Sequence, residues 1–276
     1  MTRISIRHGL WLLLLLSLSW AAGGCSSPQT KNKDVSTNVP DVTSQSTAAS
    51  EPRTAQPGPI REVDLGLSVQ GRTIEATVFE AQGFSRCVLI LGGIHGDESS
   101  STALLEKLES HLRSHPEDRA GKTIVLIPGA NPDGLAADTR HNARDVDLNR
   151  NFLTPNFKAG NSHGPAPMSE PETLVLVEAI GRYGPSTVVS THAPLNCIDP
   201  DGGQDSERLA RRMVEVSPLP YKDLGARPGS MGTYVGNKLG LRMITYELDR
   251  KKVPTSAANR YLQEHIPAML VAIKEG

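Results

Sequence analysis

The sequence predicts an α/β fold, a mixed, mostly parallel sheet flanked by helices, over residues 60–276. Three observations lead there. "RCVLILGG", "KTIVLIPG" and "STVVSTHAP" contain continuous apolar runs, the pattern of strands buried on both faces. Between them lie stretches whose apolar residues recur at helical spacing. The two patterns alternate along the chain, as they do where helices cross over between strands of one sheet.

The elements follow in order. "REVDLGLSVQGRTIEATVFEA" holds two alternating stretches around "QGR", with Ile74, Ala76 and Val78 on one face, and reads as a β-hairpin. The buried strand from Arg86 to Gly93 comes next. Leu104, Leu105, Leu108 and Leu112 then mark one face of a helix. A second buried strand runs into "NPDG", which has turn chemistry. "SEPETLVLVEAIGRYG" suggests a helix with a capping box from Ser169 to Glu172, a stripe of Leu174, Val177 and Ile180, and a stop at Gly184. The strand "STVVSTHAP" follows. "DSERLARRMVEVS" is a helix capped by Asp205 or Ser206, "LRMITYELD" a strand, and a last helix begins near Ser256 and is broken at Pro267.

Two segments precede this domain. Residues 1–25 place Arg3 and Arg7 before "LWLLLLLSLSW" and then "AAGGC". The apolar run falls short of the about 20 residues of a membrane-spanning helix, and the layout is that of an export signal. "AAGGC" resembles the lipobox of bacterial lipoproteins, which implies that Cys25 carries a lipid and that the protein is exported and held on a bacterial membrane, on its periplasmic or cell-surface side. Ala22 stands where an aliphatic residue such as Leu is commoner. Residues 26–59 are rich in Ser, Thr, Pro, Gln and Asn, with almost nothing to bury, and are expected to form a disordered tether.

Composition removes other classes. The chain is 38% hydrophobic and 21% charged, with a formal net charge of -1, which argues against general nucleic-acid binding. Aromatic residues make up only 4%, leaving no stacking platform for single strands. Cys87 and Cys197 fall near the ends of different strands and are expected to remain unpaired thiols.

The chemistry gathers at strand exits, where ligands bind in open α/β sheets. Read in order, those exits carry His95 and Glu98, then Asn149 and Arg150, then His192, then Glu247. His95, Glu98 and His192 make up a plausible three-ligand set for one zinc ion. Asp97 beside them suits a helix cap better than a supporting role. Glu247 ends an otherwise apolar strand, where a carboxylate is costly unless it has a task, such as exchanging protons beside a metal, or a partner in Arg242 or Arg250. "RHNARDVDLNRNF" is arginine-rich without being a charged helix face, and guanidinium groups suit a substrate carboxylate or a developing oxyanion.

"HGDE", "NPDG", "DLNRNF", "STHAP" and "ITYELD", in that order, resemble the M14 family of zinc carboxypeptidases across nearly the whole folded domain. The resemblance implies an eight-stranded mixed sheet, one zinc ion, and hydrolysis of an amide next to a free C-terminal carboxylate. It implies His95, Glu98 and His192 as metal ligands, Glu247 as the catalytic glutamate, and Asn149 and Arg150 as the pair that holds the terminal carboxylate. Arg140 is the choice for the arginine that polarises the scissile carbonyl, with Arg144 as its rival. The family's mobile tyrosine has no secure counterpart; Tyr234 is the nearest. The continuations "HAPLNCID" and "PGSMGTY" are similar to the compact murein peptide amidase branch, which cleaves the γ-D-glutamyl-meso-diaminopimelate bond of wall peptides. A murein-derived peptide is then the expected partner, and Asp199 and Arg227 are candidates to meet its diaminopimelate. The alternatives are a general metallocarboxypeptidase, a zinc N-acyl-amino-acid hydrolase, and a non-catalytic wall-peptide-binding lipoprotein.

Overall fold

The computed structural model describes residues 56–83, 85–160 and 162–276. The export signal, Cys25 and most of the tether lie outside them. Strand β1 (Pro57–Leu67) begins ahead of the expected domain start at 60 and pairs with β2 (Thr73–Ala81) in the expected antiparallel hairpin. The chain continues through β3 (Cys87–Leu91), α1 (Ser99–Ser114), β4 (Thr123–Ile127), α2 (Pro132–Ala137), α3 (Pro171–Tyr183), β5 (Thr187–His192), β6 (Cys197–Asp201), α4 (Gln204–Val214), β7 (Arg242–Glu247), α5 (Thr255–Gln263) and α6 (Ile266–Glu275).

The strands form one mixed sheet in the order β1-β2-β4-β3-β5-β7-β6. It has seven strands among the described residues rather than eight. Parallel and antiparallel pairs are equally represented, so "mostly parallel" fits only the centre: β4, β3, β5 and β7 run parallel, while β1, β2 and β6 join antiparallel.

Residues of the central strands alternate between two cores. Val88, Ile90, Ile124 and Leu126 pack with α1, α4, α5 and α6 on one face. Leu89, Leu91, Val125 and Ile127 pack with α3, Phe152 and the π-helical turn Thr233–Lys238 on the other. Burial on both faces is why these strands read as unbroken apolar runs.

Several local expectations change. "NPDG" starts α2, with the Asn131 side chain accepting from the Gly134 N–H, where a simple turn was expected. Ser169 does not cap α3: the N-cap is Glu170, Pro171 opens the helix, and Glu172 accepts instead from the Val69 N–H and the Asn142 amide. Leu174 faces solvent; Val175, Leu176, Ala179 and Ile180 form the buried stripe. The N-cap position of α4 is Gly203, not Asp205 or Ser206, which lie inside the helix; Ser206 Oγ accepts from the Met243 N–H instead. Pro267 lies in the first turn of α6, so the final helix is two helices. One local expectation holds: Cys87 and Cys197 are unpaired, and both are buried.

Candidate active site

The loop after β3 carries His95 and Glu98 over the carboxyl end of the sheet. Gly96 is pressed so close to Gly134 that an added Cβ would lie 1.9 Å from its carbonyl carbon, so only glycine fits there. Strand β5 ends at His192 and β7 at Glu247, and the register places these two residues opposite each other. His95, Glu98, His192 and Glu247 are 2–7% exposed.

His95 Nδ1 lies 3.0 Å from Glu98 Oε1. His192 Nδ1 lies 3.2 Å from both His95 Nδ1 and Glu98 Oε2. The far nitrogens point outward: His95 Nε2 lies 3.1 Å from Asp147 Oδ1, and His192 Nε2 lies 2.9 Å from Ser190 Oγ. A carboxylate only accepts, so Asp147 fixes the proton of neutral His95 on Nε2 and turns the Nδ1 lone pair inward. Two inward nitrogens and a carboxylate then form an acceptor cluster that needs a cation or a proton at its centre. Three atoms bound to a tetrahedral zinc at about 2.0–2.1 Å lie about 3.3 Å apart, close to the observed separations. The donor set therefore fits zinc.

The electrostatics express the same need for positive charge. Burial acts to lower the His95 pKa, but hydrogen bonds with Asp147 and Glu98 outweigh it and hold the ring above its ordinary value. Burial acts to raise Glu98, but His192 and His95 hold its carboxyl well below the usual range. Asp147 is likewise depressed against its burial, by His95 and then by Arg140 and Arg150.

Asp147 is the site residue that sequence reasoning missed. It also caps the 3₁₀ turn Leu148–Arg150 by accepting from the Asn149 N–H at 2.9 Å. In sequence it is one acid in an Arg-Asp-rich loop, and only its position just before "LNRNF" marked it. Asp147→Asn is expected to weaken zinc binding by about 10–100-fold while the fold persists. Competition against a chelating dye measures this; unchanged affinity would remove Asp147 from the support of His95.

The four groups open onto a cavity of about 230 Å³ that Arg140, Asn149, Arg150 and Arg227 also line. The Arg140 guanidinium donates to Glu98 Oε1 at 3.2 Å and to Asp147 Oδ2 at 3.1 Å through Nε, with Nη2 3.0 Å from the same oxygen. Arg144 turns away toward Glu170, 3.7 Å off, and does not line this cavity. Asn149 Oδ1 accepts from the Met231 N–H, which leaves its amide N–H groups for the cavity. Tyr234 is buried against Phe152, away from the cavity lining. Asp97 is no cap: the N-cap of α1 is Glu98, and Asp97 pairs with Lys251 at 2.5 Å. Glu247 makes no ion pair among the described residues; Arg250 pairs with Asp249, Arg242 donates to the Glu275 carbonyl, and Glu247 Oε2 accepts from the Leu195 N–H at 3.3 Å.

Asp199 and Asp201 form the deep end of the cavity. Burial pushes the Asp201 carboxyl up to about 7, with Thr245 acting against it, Asp199 and Asp223 reinforcing it, and Arg227 opposing. Burial pushes Asp199 up to about 6. A raised carboxylate pKa means the folded state holds its proton longer than the unfolded chain. The stability associated with protonated Asp201 is complete below about pH 4 and is lost as pH rises to about 7. Asp201→Asn is therefore expected to stabilise the metal-free protein by on the order of 1–3 kcal/mol at pH 8 and by little at pH 4. Urea midpoints at the two pH values test this; an equal difference at both would contradict it.

A family model described as zinc carboxypeptidase matches residues 48–198. The chain is similar to murein peptide amidase A of Escherichia coli K12, 38% identical over 182 residues, which are 58% of this chain and 69% of that protein. It is similar to murein peptide amidase A of Vibrio campbellii, 32% identical over 233 residues, 78% of this chain and 88% of the relative. Among solved structures, murein-tripeptide amidase from Escherichia coli O157 superposes with a TM-score of 0.62 at 33% identity, covering 77% of this chain and 92% of that one. Carboxypeptidase A of Helicoverpa armigera, at 16% identity, shares the fold with a TM-score of 0.67, over 78% of this chain and 68% of its own.

Proposed function

This chain belongs to the zinc carboxypeptidase family, and on that footing we propose that it cleaves the γ-D-glutamyl-meso-diaminopimelate bond of murein peptides and releases their C-terminal residue. It is a zinc-dependent hydrolase of peptide amide bonds that uses one metal ion. The observation that carries the reading is the meeting, in one cavity, of the His95–Glu98–His192 cluster, Glu247 and the Asn149–Arg150 pair. The relatives named for murein peptides support the choice of substrate.

In this reading His95, Glu98 and His192 hold the zinc. When bound, zinc supplies a Lewis acid that polarises the scissile carbonyl and makes water nucleophilic near neutral pH. The Asn149 amide and the Arg150 guanidinium grip the carboxylate of the last residue, a geometry that places its amide bond in front of Glu247. Glu247 removes a proton from the attacking water and returns it to the leaving amine. Arg140 has five N–H groups, and its contacts with Glu98 and Asp147 occupy three of them. The remaining two are free to donate to the oxyanion as it develops.

The protein is exported and carries its lipid on Cys25, in keeping with the basic, apolar and small-residue order of residues 1–25. Cys25→Ser is expected to abolish palmitate labelling of the expressed protein; labelling that persists would place the anchor elsewhere.

The test of the hydrolytic reading is a substrate panel for the zinc-loaded full chain. The tripeptide ending in γ-D-glutamyl-meso-diaminopimelate should be cleaved, and its C-terminal amide should not. Trimming of ordinary peptides beside an intact tripeptide would instead make the protein a general carboxypeptidase. Cleavage of acyl-amino acids alone would make it an aminoacylase.

A further inference from the structure

The deep end of the cavity is not apolar. Strand β6 runs antiparallel to β7, with Asp199 opposite Thr245 and Cys197 opposite Glu247. Residues two apart on a strand face the same way and lie about 7 Å apart. Thr245 and Glu247 on one strand, and Asp199 and Asp201 on the next, therefore line a single wall that descends from the catalytic end. Asp199 and Asp201 are 4% and 8% exposed.

One oxygen of each carboxylate is satisfied by the protein. Asp199 Oδ1 accepts from the Leu224 N–H at 3.0 Å, and Asp201 Oδ2 accepts from the Thr245 hydroxyl at 2.7 Å. The other oxygens have no hydrogen-bond donor, and neither carboxylate has a cationic side chain at ion-pair distance, among the described residues. Gly232 makes room for this arrangement, since an added Cβ would sit 2.3 Å from the Asp201 carboxyl carbon. Arg227, at the same cavity, is exposed, and its guanidinium has no partner among the described residues. Two adjacent buried carboxylates without a counter-charge are costly. A ligand that brings an ammonium group resolves that cost.

Resting on the reading of the cavity as the seat of the released residue, we propose that Asp199 and Asp201 accept the ammonium at the far end of that residue's side chain, while Arg227 pairs with a carboxylate on the same distal carbon. The cavity then reads an amino acid with two zwitterionic centres. Asn149 and Arg150 hold the near one, and Asp199, Asp201 and Arg227 hold the far one, about one strand step deeper. An apolar side chain leaves both carboxylates stranded. Lysine satisfies them but leaves Arg227 unpaired. Acylation of the distal amine removes the charge that the wall is built to meet.

The test separates binding from hydrolysis. Calorimetry on the zinc-loaded full chain measures free meso-diaminopimelate, L-lysine and L-2-aminopimelate, the last lacking only the distal amine. Diaminopimelate should bind most tightly, lysine about 10-fold and 2-aminopimelate about 100-fold more weakly. Asp199→Asn and Asp201→Asn, both near-isosteric, should each cost diaminopimelate at least about 10-fold while changing 2-aminopimelate far less. Arg227→Met should instead narrow the gap between diaminopimelate and lysine. Variants that bind all three ligands like the wild type, or that weaken all three alike, would overturn the assignment. If the wild type shows this discrimination yet leaves the tripeptide uncut, the hydrolytic reading fails and the assignment stands. A tripeptide cleaved equally well by wild type and both Asn variants, with or without an acetyl group on the distal amine, sinks the assignment alone.

Discussion

Glu247→Gln is expected to fold, to bind zinc like the wild type, and to lose turnover by about 10²–10⁴-fold, the range contributed by a positioned acid–base group. Glutamine matches the size of glutamate, and its carbonyl oxygen still accepts the Leu195 N–H that Glu247 Oε2 accepts now. The β5–β7 register that sets Glu247 beside His192 is a backbone property and survives the change. The loss is the ability to take a proton from water and return it to the amine. Single-turnover rates together with metal content measure the effect. Turnover within about threefold of the wild type would remove Glu247 from the chemistry, because acid–base catalysis by a positioned group is worth far more than that.

His192→Ala is expected to have the second large effect, through the metal. On the proposed ligand set, the substitution removes one of three ligands and leaves His95 and Glu98, too few for a catalytic zinc site. Zinc that binds only the folded state stabilises it by about 2.7 kcal/mol at 100 times its Kd. Zinc should therefore raise the melting temperature of the wild type and leave His192→Ala almost unmoved, and hydrolysis should fall to background. The thermal readout is independent of turnover. A zinc-induced shift of equal size in both proteins would show that His192 is not a ligand.

Much of this site was legible because its residues break the pattern around them. His95, Glu98, His192 and Glu247 stand at the exits of strands that are otherwise continuous apolar runs, and the structure gathers these four at one cavity. The structure also separates Arg140 from Arg144, a choice the loop sequence left open, since both lie in one arginine-rich stretch. What was missed depends on contacts distant in sequence. Asp97 reads as a cap until Lys251, far along the chain, claims it. Strand β6 is not legible in the sequence because "CIDPD" has neither an alternating nor a continuous apolar pattern. An edge strand tolerates its proline, and its aspartates face the cavity rather than the core. Asp147 was hidden for a related reason: its hydrogen bond to His95 spans 52 residues. The buried stripe of α3 differs from the expected one because four apolar residues, Leu174–Val177, stand in a row there and so do not mark one face; Val175, Leu176, Ala179 and Ile180 share the buried side.

In the proposed function one zinc ion, held by His95, Glu98 and His192, supports cleavage of a C-terminal amide. Titrating zinc into the metal-free full chain while following γ-D-glutamyl-meso-diaminopimelate tripeptide by mass spectrometry tests it most directly. Turnover should rise linearly to one equivalent of zinc and then level off, and free diaminopimelate should be the only amino acid released. Turnover in the metal-free protein, or a different bond cleaved at one equivalent, would contradict it.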